Sequence, residues 1–153
     1  MAACKDARRK GRYASQGFDF LGYSFRPRLV QNSRRGSLFW SFTPAVSQAA
    51  LTTMRETIRK TNLRNRTQIT LEDVACELNP ILRGWMEYYG RYCPSALYPV
   101  FRHVNRSLVA WAMRKYKRLS GHRTRASVFL ESISRKNPRL FAHWRKGTIG
   151  SFA

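Results

Sequence analysis

Acidic side chains are scarce in this sequence. Aspartate and glutamate number 8 against 29 lysines and arginines, which gives a formal net charge of +21 and a pI near 11.3. No two carboxylates have a spacing that suggests a shared two-metal site, and Glu72 with Asp73 fit the first turn of a helix instead. There is also no glycine-rich phosphate loop. The sequence therefore predicts a chain that is not an enzyme and that uses no metal or cofactor.

Cysteines and long apolar runs are also few. The three cysteines show no CxxC pair and the three histidines are too scattered for a metal site; they are Cys4, Cys76, Cys93, His103, His122 and His143. An odd number of isolated cysteines without a signal peptide indicates free thiols in a reducing compartment. No apolar run approaches the ~20 residues of a membrane-spanning helix. We therefore expect a cytoplasmic protein that makes no membrane contact.

Positive charge, by contrast, is abundant and unevenly distributed. Arginine supplies 22 of the 29 cations, and its planar guanidinium both pairs with phosphates and stacks on bases, which favours a nucleic-acid partner. Residues 41–90 hold 6 cations and 5 acids, whereas residues 91–153 hold 14 cations and 1 acid. This distribution indicates a packed scaffold that carries a basic binding surface.

Two aromatic segments near the N-terminus predict a β-hairpin. A basic lead-in at 1–17 precedes "FDFLGYSFRPRLV", in which Pro27 ends the strand or places it at a sheet edge. The turn residues of "QNSRRGS" separate this segment from "LFWSFTP", so that the hairpin covers 18–44. Because an isolated hairpin is marginally stable in water, we expect it to pack on another part of the chain.

Apolar residues then recur at helical spacing. They predict three helices, at 45–62, 71–91 and 95–118, and "TLED" at 70–73 has the pattern of a capping box at the start of the second. Pro80 follows Asn79, which can cap a restarted helix, so the second helix is predicted to kink or to begin twice.

The last part of the chain is less regular. Residues 125–136 predict a fourth, short helix that is buried through Val128, Phe129 and Ile133, followed by a loosely specified tail. We therefore predict a mainly α fold: an N-terminal β-hairpin, a three-helix thumb-like bundle in a domain at 45–120, and a basic, partly helical segment at 121–153.

The stretch "NPILRGWMEYYGRY" at 79–92 combines aromatic rings with arginines. Helical spacing places Ile81, Trp85, Tyr88 and Tyr92 on one face and the arginines on another, and Tyr89 beside the aromatic stripe, where it could meet solvent or a base. This predicts a packed aromatic stripe with a basic back, and not a platform on which bases stack.

Several long motifs resemble, in order, those of bacterial group II intron-encoded reverse transcriptase/maturases. They are "CKDARRKG" at 4–11, "FDFLGYSFRPR" at 18–28, "LNPILRGWMEYYGRY" at 78–92, "SALYPVFRHVNRSLVAWAMRKYKRLSGHR" at 95–123 and "LFAHW" at 140–144. The resemblance runs through roughly residues 4–146 and covers the C-terminal part of the family protein. It implies that 18–44 is a remnant of the polymerase palm, which normally packs on residues missing here, and that the helices form the thumb, also called the maturase or X domain.

The resemblance also implies a function. In the family, the thumb with the fingers and palm holds structured intron RNA in its splicing-competent shape, and it grips the template–primer duplex during reverse transcription. The adjacent aspartates of the polymerase motif and the HNH endonuclease are not in this chain, so neither activity carries over. We therefore expect a non-catalytic RNA-binding maturase module, part of a mobile genetic element, that binds group II intron RNA and assists its splicing.

Three alternatives stay open. In the first, the chain is the thumb portion of a split or truncated RNA-directed DNA polymerase that grips RNA/DNA template–primer together with a missing palm and fingers polypeptide. In the second, it is a basic DNA-binding protein whose helix at 95–118 lies in a major groove. In the third, it is a degenerate remnant without a present function.

The candidate RNA-binding residues are basic side chains outside the apolar stripes. They are Arg55, Arg59, Arg64, Arg66, Arg83, Arg91, Arg102, Arg106, Arg114, Lys115, Lys117, Arg118, Arg123 and Arg125.

Overall fold

The computed structural model describes residues 17–32, 36–146 and 152, so nearly all of the predicted lead-in lies outside the described residues. Its elements are β1 (Phe18–Phe20), β2 (Tyr23–Gln31), β3 (Leu38–Val46), α1 (Gln48–Lys60), α2 (Leu71–Tyr89), α3 (Tyr98–Lys115) and α4 (Arg123–Lys136). Short 3-10 turns lie at Leu63–Asn65, Pro94–Leu97, Lys117–Leu119 and Trp144–Lys146. The predicted mainly α fold is confirmed, whereas the division into domains stays a prediction.

The N-terminal sheet has three antiparallel strands in the order β1-β2-β3, one more than the predicted hairpin. Leu21 and Gly22 form the tight turn between β1 and β2 with positive φ values of 48° and 79°, the backbone geometry that two-residue hairpin turns require. β2 continues through Pro27, which lies beyond the residues that β1 pairs with. Of the two predicted alternatives, the strand does not end at Pro27, whereas the placement of Pro27 at a sheet edge is confirmed, because only β3 pairs with β2 at this position.

The boundary between sheet and helices lies later than predicted. Val46, assigned from the sequence to the first helix, is the last residue of β3 and pairs with Tyr23. Ser47 is the N-cap of α1, where its hydroxyl oxygen accepts a hydrogen bond from the backbone N–H of Ala50 at 3.2 Å. Because Val46 still pairs with Tyr23 and Ser47 is the N-cap, α1 begins only at Gln48.

The second helix begins as predicted but does not restart. Thr70 and Asp73 form the capping box, with each side chain accepting a hydrogen bond from the other residue's backbone N–H. α2 then runs through Pro80 without interruption. Asn79 caps nothing; its amide donates to the carbonyl of Leu140 at 2.9 Å and accepts from the N–H of Ala142 at 2.8 Å. The predicted second helix start was wrong because the asparagine bonds the C-terminal segment instead.

α3 lies at the centre of the hydrophobic core. The apolar residues that recur at helical spacing within 95–118, and that predict its inner face, are buried throughout: Leu97, Phe101, Val104, Leu108, Trp111 and Ala112. The helix is shorter than predicted, because Tyr116 is extended (φ −106°, ψ 112°) and Lys117 with Arg118 lie in the following 3-10 turn. α4 is confirmed as a helix, but Val128 is 60% exposed and the buried positions are Ala126, Leu130 and Ser134.

The C-terminal segment is part of the core and not a loosely specified tail. Phe141, Trp144 and Phe152 are fully buried, and the indole N–H of Trp144 donates to the side-chain oxygen of Asn105 at 3.1 Å. His143 is equally buried, with its Nε2 atom 2.8 Å from the same oxygen. In the part of the chain that the structure describes, no helix is long and apolar enough to cross a membrane.

Buried His143 makes stability depend on pH. Burial lowers the pKa of its imidazole from 6.5 to about 3, so below pH 6.5 the unfolded chain binds a proton that the folded chain does not. Stability is therefore complete above pH 6.5 and decreases as pH falls toward 3. We expect the free energy of unfolding to drop by about 2 kcal/mol between pH 7 and pH 5 from this group.

Urea denaturation at several pH values measures this effect. His143→Gln should flatten the pH dependence between pH 7 and 5, whatever its own effect on stability at pH 7. The matched control is His122→Gln, which replaces an exposed histidine and should retain the wild-type dependence. An unchanged slope in the His143 variant would contradict this assignment.

Candidate nucleic-acid interface

Most of the predicted RNA-binding cations are exposed on the helices and the turns between them. The exposed ones are Arg59, Arg64, Arg83, Arg91, Arg102, Arg106, Arg114, Lys117, Arg118, Arg123 and Arg125. Arg55, Arg66 and Lys115 are half-buried. Within the described residues, the ion pairs involve only Arg66 and Arg135, so most of these cations face no protein carboxylate at contact distance.

Arg66 has a structural role that its sequence position did not reveal. Its guanidinium makes two hydrogen bonds of 2.6 Å to the carboxylate of Glu77 on α2. These bonds raise the pKa of Arg66 and lower that of Glu77. The backbone carbonyl of Arg66 accepts a hydrogen bond from the indole N–H of buried Trp111 at 3.0 Å. Arg66 thus ties the loop between α1 and α2 to both α2 and α3.

Two cations at the end of α3 hold the same loop. Lys115 donates to the carbonyls of Thr67 at 3.1 Å and Ile69 at 2.6 Å, and its ammonium lies 5.3 Å from the ring centre of Trp111. Arg114 donates to the side-chain oxygen of Asn65. These contacts occupy part of each side chain's donor capacity, so the prediction that they bind RNA stays open.

Arginines of α1 and α3 act electrostatically on one histidine. His103 of α3 is half-buried, and its pKa is lowered first by burial and then by the charges of Arg59, Arg55 and Arg106. α1 packs on α3, which brings Arg55 and Arg59 near His103 and Arg106. Sequence reasoning did not single out His103; its position three residues before Arg106, on the same helical face, was the available signal.

The aromatic residues at the end of α2 contact the sheet, and of these only Tyr89 also packs against the core. The ring of Tyr23 in β2 contacts those of Tyr88, Tyr89 and Tyr92, with centroids 5.3, 5.4 and 6.1 Å away. Tyr88 and Tyr92 remain 48% and 59% exposed, so the predicted packed stripe was wrong at these two positions. Tyr88 lies in the last turn of α2 and Tyr92 follows the end of the helix, where the core no longer covers them.

Tyr89 was predicted to lie beside the stripe, where it could meet solvent or a base; in the structure it is partly buried and lies against the β1–β2 turn. A Cβ atom on Gly22 would lie 2.6 Å from the Tyr89 hydroxyl oxygen, which is too close for any side chain. Burial is the main cause of its raised pKa. Gly22 is therefore required both for its positive φ and for this close approach.

One face of the sheet carries apolar residues that the helices do not cover. The strand register places Leu29 opposite Trp40 and Gln31 opposite Leu38, on the same face as Phe20. Trp40 is 72% exposed, and the other apolar members of this group are exposed as well. The hairpin was expected to pack on another part of the chain, but only its end near Tyr23 and Val46 does so.

The class defined by these features is a helical domain that is strongly basic, with arginines directed outward around an aromatic core. Among the described residues, no three histidine, cysteine or acidic side chains are grouped to hold a metal ion. Residues 51–129 match the family described as group II intron, maturase-specific domain. Because the match covers more than half of the chain, the protein belongs to this family.

The family match confirms the resemblance seen in the sequence motifs. It begins within α1 and ends within α4, so it spans the helices that form the core and leaves out the sheet. No curated protein and no solved structure matches the chain.

Proposed function

We propose that this chain is a non-catalytic maturase module that binds structured group II intron RNA in the cytoplasm and assists its splicing. The observation that carries the proposal is the coincidence of two features on the same helices. The maturase-specific match covers α2, α3, most of α1 and half of α4, and the arginines that these segments present make no ion pair among the described residues. Arginine binds phosphates through its planar fork, and RNA supplies them at high density.

We expect RNA to bind exposed cations that make no ion pair among the described residues. We expect the combined change Arg102→Gln, Lys117→Gln, Arg123→Gln and Arg125→Gln to weaken binding to a structured intron RNA at least about tenfold. The slope of log affinity against log salt should become shallower by about 0.9 for each lost phosphate contact. The melting temperature should change little, because all four side chains are exposed.

A charge-matched variant controls for the loss of net charge. Lys136, Arg139, Arg145 and Lys146 are also exposed, but they are outside the predicted set; replacing these four by Gln should weaken binding by less than about threefold. Filter binding with intron RNA and with a duplex DNA of equal length measures both variants. Equal losses in the two variants would move the RNA surface elsewhere, and a preference for the DNA would support the DNA-binding alternative.

A second candidate function is favoured by the uncovered apolar face of the sheet. In this alternative the chain is the thumb portion of an RNA-directed DNA polymerase that is completed by a palm and fingers polypeptide. Exposed Phe20, Leu29 and Trp40 supply the kind of surface that a protein partner buries. Primer extension tests it: activity should be absent from the chain alone and should require both the added palm polypeptide and an intact Trp40.

A further inference from the structure

The packing of α1 on α3 gathers positive charge around a half-buried histidine. Arg55 and Arg59 lie one helical turn apart on α1, each directly after a buried residue of its core-facing stripe, Met54 or Ile58. On α3, Arg106 follows His103 by three residues and lies on the same side of the helix. Because α1 packs on α3, arginines from both helices lie near enough to His103 for their charges to act on its imidazole.

No protein group balances this charge within the described residues. Arg55, Arg59 and Arg106 make no ion pair there, and Glu56, the neighbouring acid in sequence, makes none either. The Nε2 atom of His103 is buried and has no hydrogen-bond partner in the described part of the chain. The charged groups that act on the imidazole come from both helices, and all three are arginines, which together with burial keep its pKa below the usual value.

Such an arrangement is unfavourable in the free protein and favourable with an anion. Three like charges repel one another, and the half-buried Arg55 and His103 are screened less by solvent than the exposed Arg59 and Arg106. A tetrahedral dianion accepts hydrogen bonds from several guanidinium groups at once. An isolated exposed arginine offers it only one such group. The cluster therefore has the composition of a specific phosphate site and not only of a diffuse basic surface.

We propose that Arg55, Arg59 and Arg106 form a single phosphate-binding site across α1 and α3, beside His103, which takes a backbone phosphate of the bound nucleic acid. The identity of the ligand as RNA rests on the proposed function, whereas the site itself requires only a phosphate group. A bound phosphate offsets the field of the arginines at His103 and makes the imidazole easier to protonate. By linkage, the site binds phosphate more tightly as pH falls through the titration of His103.

NMR titration of the His103 ring tests the site directly. Spectra are recorded over pH in chloride, in sulfate at equal ionic strength, and with a saturating intron RNA hairpin. Sulfate is the probe because it remains a tetrahedral dianion throughout the pH range. We expect the midpoint of the His103 titration to rise in sulfate and in RNA, with the exposed His122 ring as the reference signal.

The variant Arg59→Gln with Arg106→Gln removes two exposed arms of the site without disturbing the core. It should raise the His103 midpoint in chloride, abolish the response to sulfate, and weaken RNA binding at least about tenfold. The control Arg139→Gln with Arg145→Gln removes the same charge from exposed positions elsewhere and should do none of these.

The outcomes separate the site from the proposed function. If wild type binds RNA while His103 responds to neither anion and both variants bind alike, the phosphate site is wrong and the RNA function stands. If His103 responds to sulfate through the arginines but no RNA binds, the site stands and the RNA function is wrong. If His103 is unresponsive and no RNA binds, both proposals are wrong.

Discussion

Trp111→Ala should lower the free energy of unfolding by about 3–5 kcal/mol, the usual cost of truncating a buried tryptophan. The side chain has no exposed surface, and its indole N–H donates to the Arg66 carbonyl at 3.0 Å. Its ring lies edge-on to Tyr116 with centroids 6.2 Å apart. The change therefore leaves a cavity in the core and releases the loop between α1 and α2. Urea denaturation at pH 7 measures the loss.

Two other tryptophans provide the comparison. Trp40→Ala should change stability by less than about 1 kcal/mol, because its side chain is largely exposed on the sheet. Trp85, expected from the sequence to be as buried as Trp111, is only partly buried, so its truncation should have an intermediate cost. If the Trp111 variant instead kept wild-type stability but lost affinity for RNA, its assignment to the core would be wrong.

Affinity for structured RNA should fall by about 10³–10⁵ between 50 and 200 mM monovalent salt. This range applies if about 6–10 phosphates are contacted, because each contact releases condensed counterions from the RNA. This prediction rests on the net charge of +21 and on the excess of 14 cations over one acid after residue 90. Filter-binding titrations at four or more salt concentrations give the slope directly.

The salt series also has an internal control among the cations. Lys115→Gln removes one positive charge and two hydrogen bonds within the protein, because the Lys115 ammonium donates to the Thr67 and Ile69 carbonyls. It should lower stability more than it changes the salt slope, whereas Arg102→Gln should do the reverse. A flat salt response of the wild-type protein would remove the electrostatic basis of the proposed function.

Local signals in the sequence predicted the helices well. The capping box at Thr70 and Asp73 involves residues three apart, and the buried stripe of α3 follows from helical spacing alone. Such features need no knowledge of distant residues. The two-residue turn at Leu21 and Gly22, which creates β1, was a local signal too, but the strand is only three residues long and too short to show a pattern.

The failed predictions concern contacts between residues that are far apart in sequence. Asn79 looked like a helix cap because its partners at 140 and 142 lie more than sixty positions away. The tail looked loosely specified because its burial depends on α3, and Phe141 with Trp144 has no periodic pattern that would announce it. Likewise, helical spacing places Tyr88 and Tyr92 on a stripe with buried residues, but Tyr88 lies in the last turn of α2 beyond the core and Tyr92 follows the end of the helix.

The sequence by itself determined that this protein is basic, mainly helical and similar to group II intron maturases, because charge, helical period and motifs are properties of neighbouring residues. Only the tertiary structure decided what each cation contacts. Arg66 pairs with a carboxylate eleven residues away, and Lys115 bonds carbonyls 46 and 48 residues away. Arg59 and Arg106 both act on the pKa of His103 only because α1 packs on α3. Charge is fixed by composition, but whether a charge is satisfied depends on which partners the fold brings within hydrogen-bonding distance.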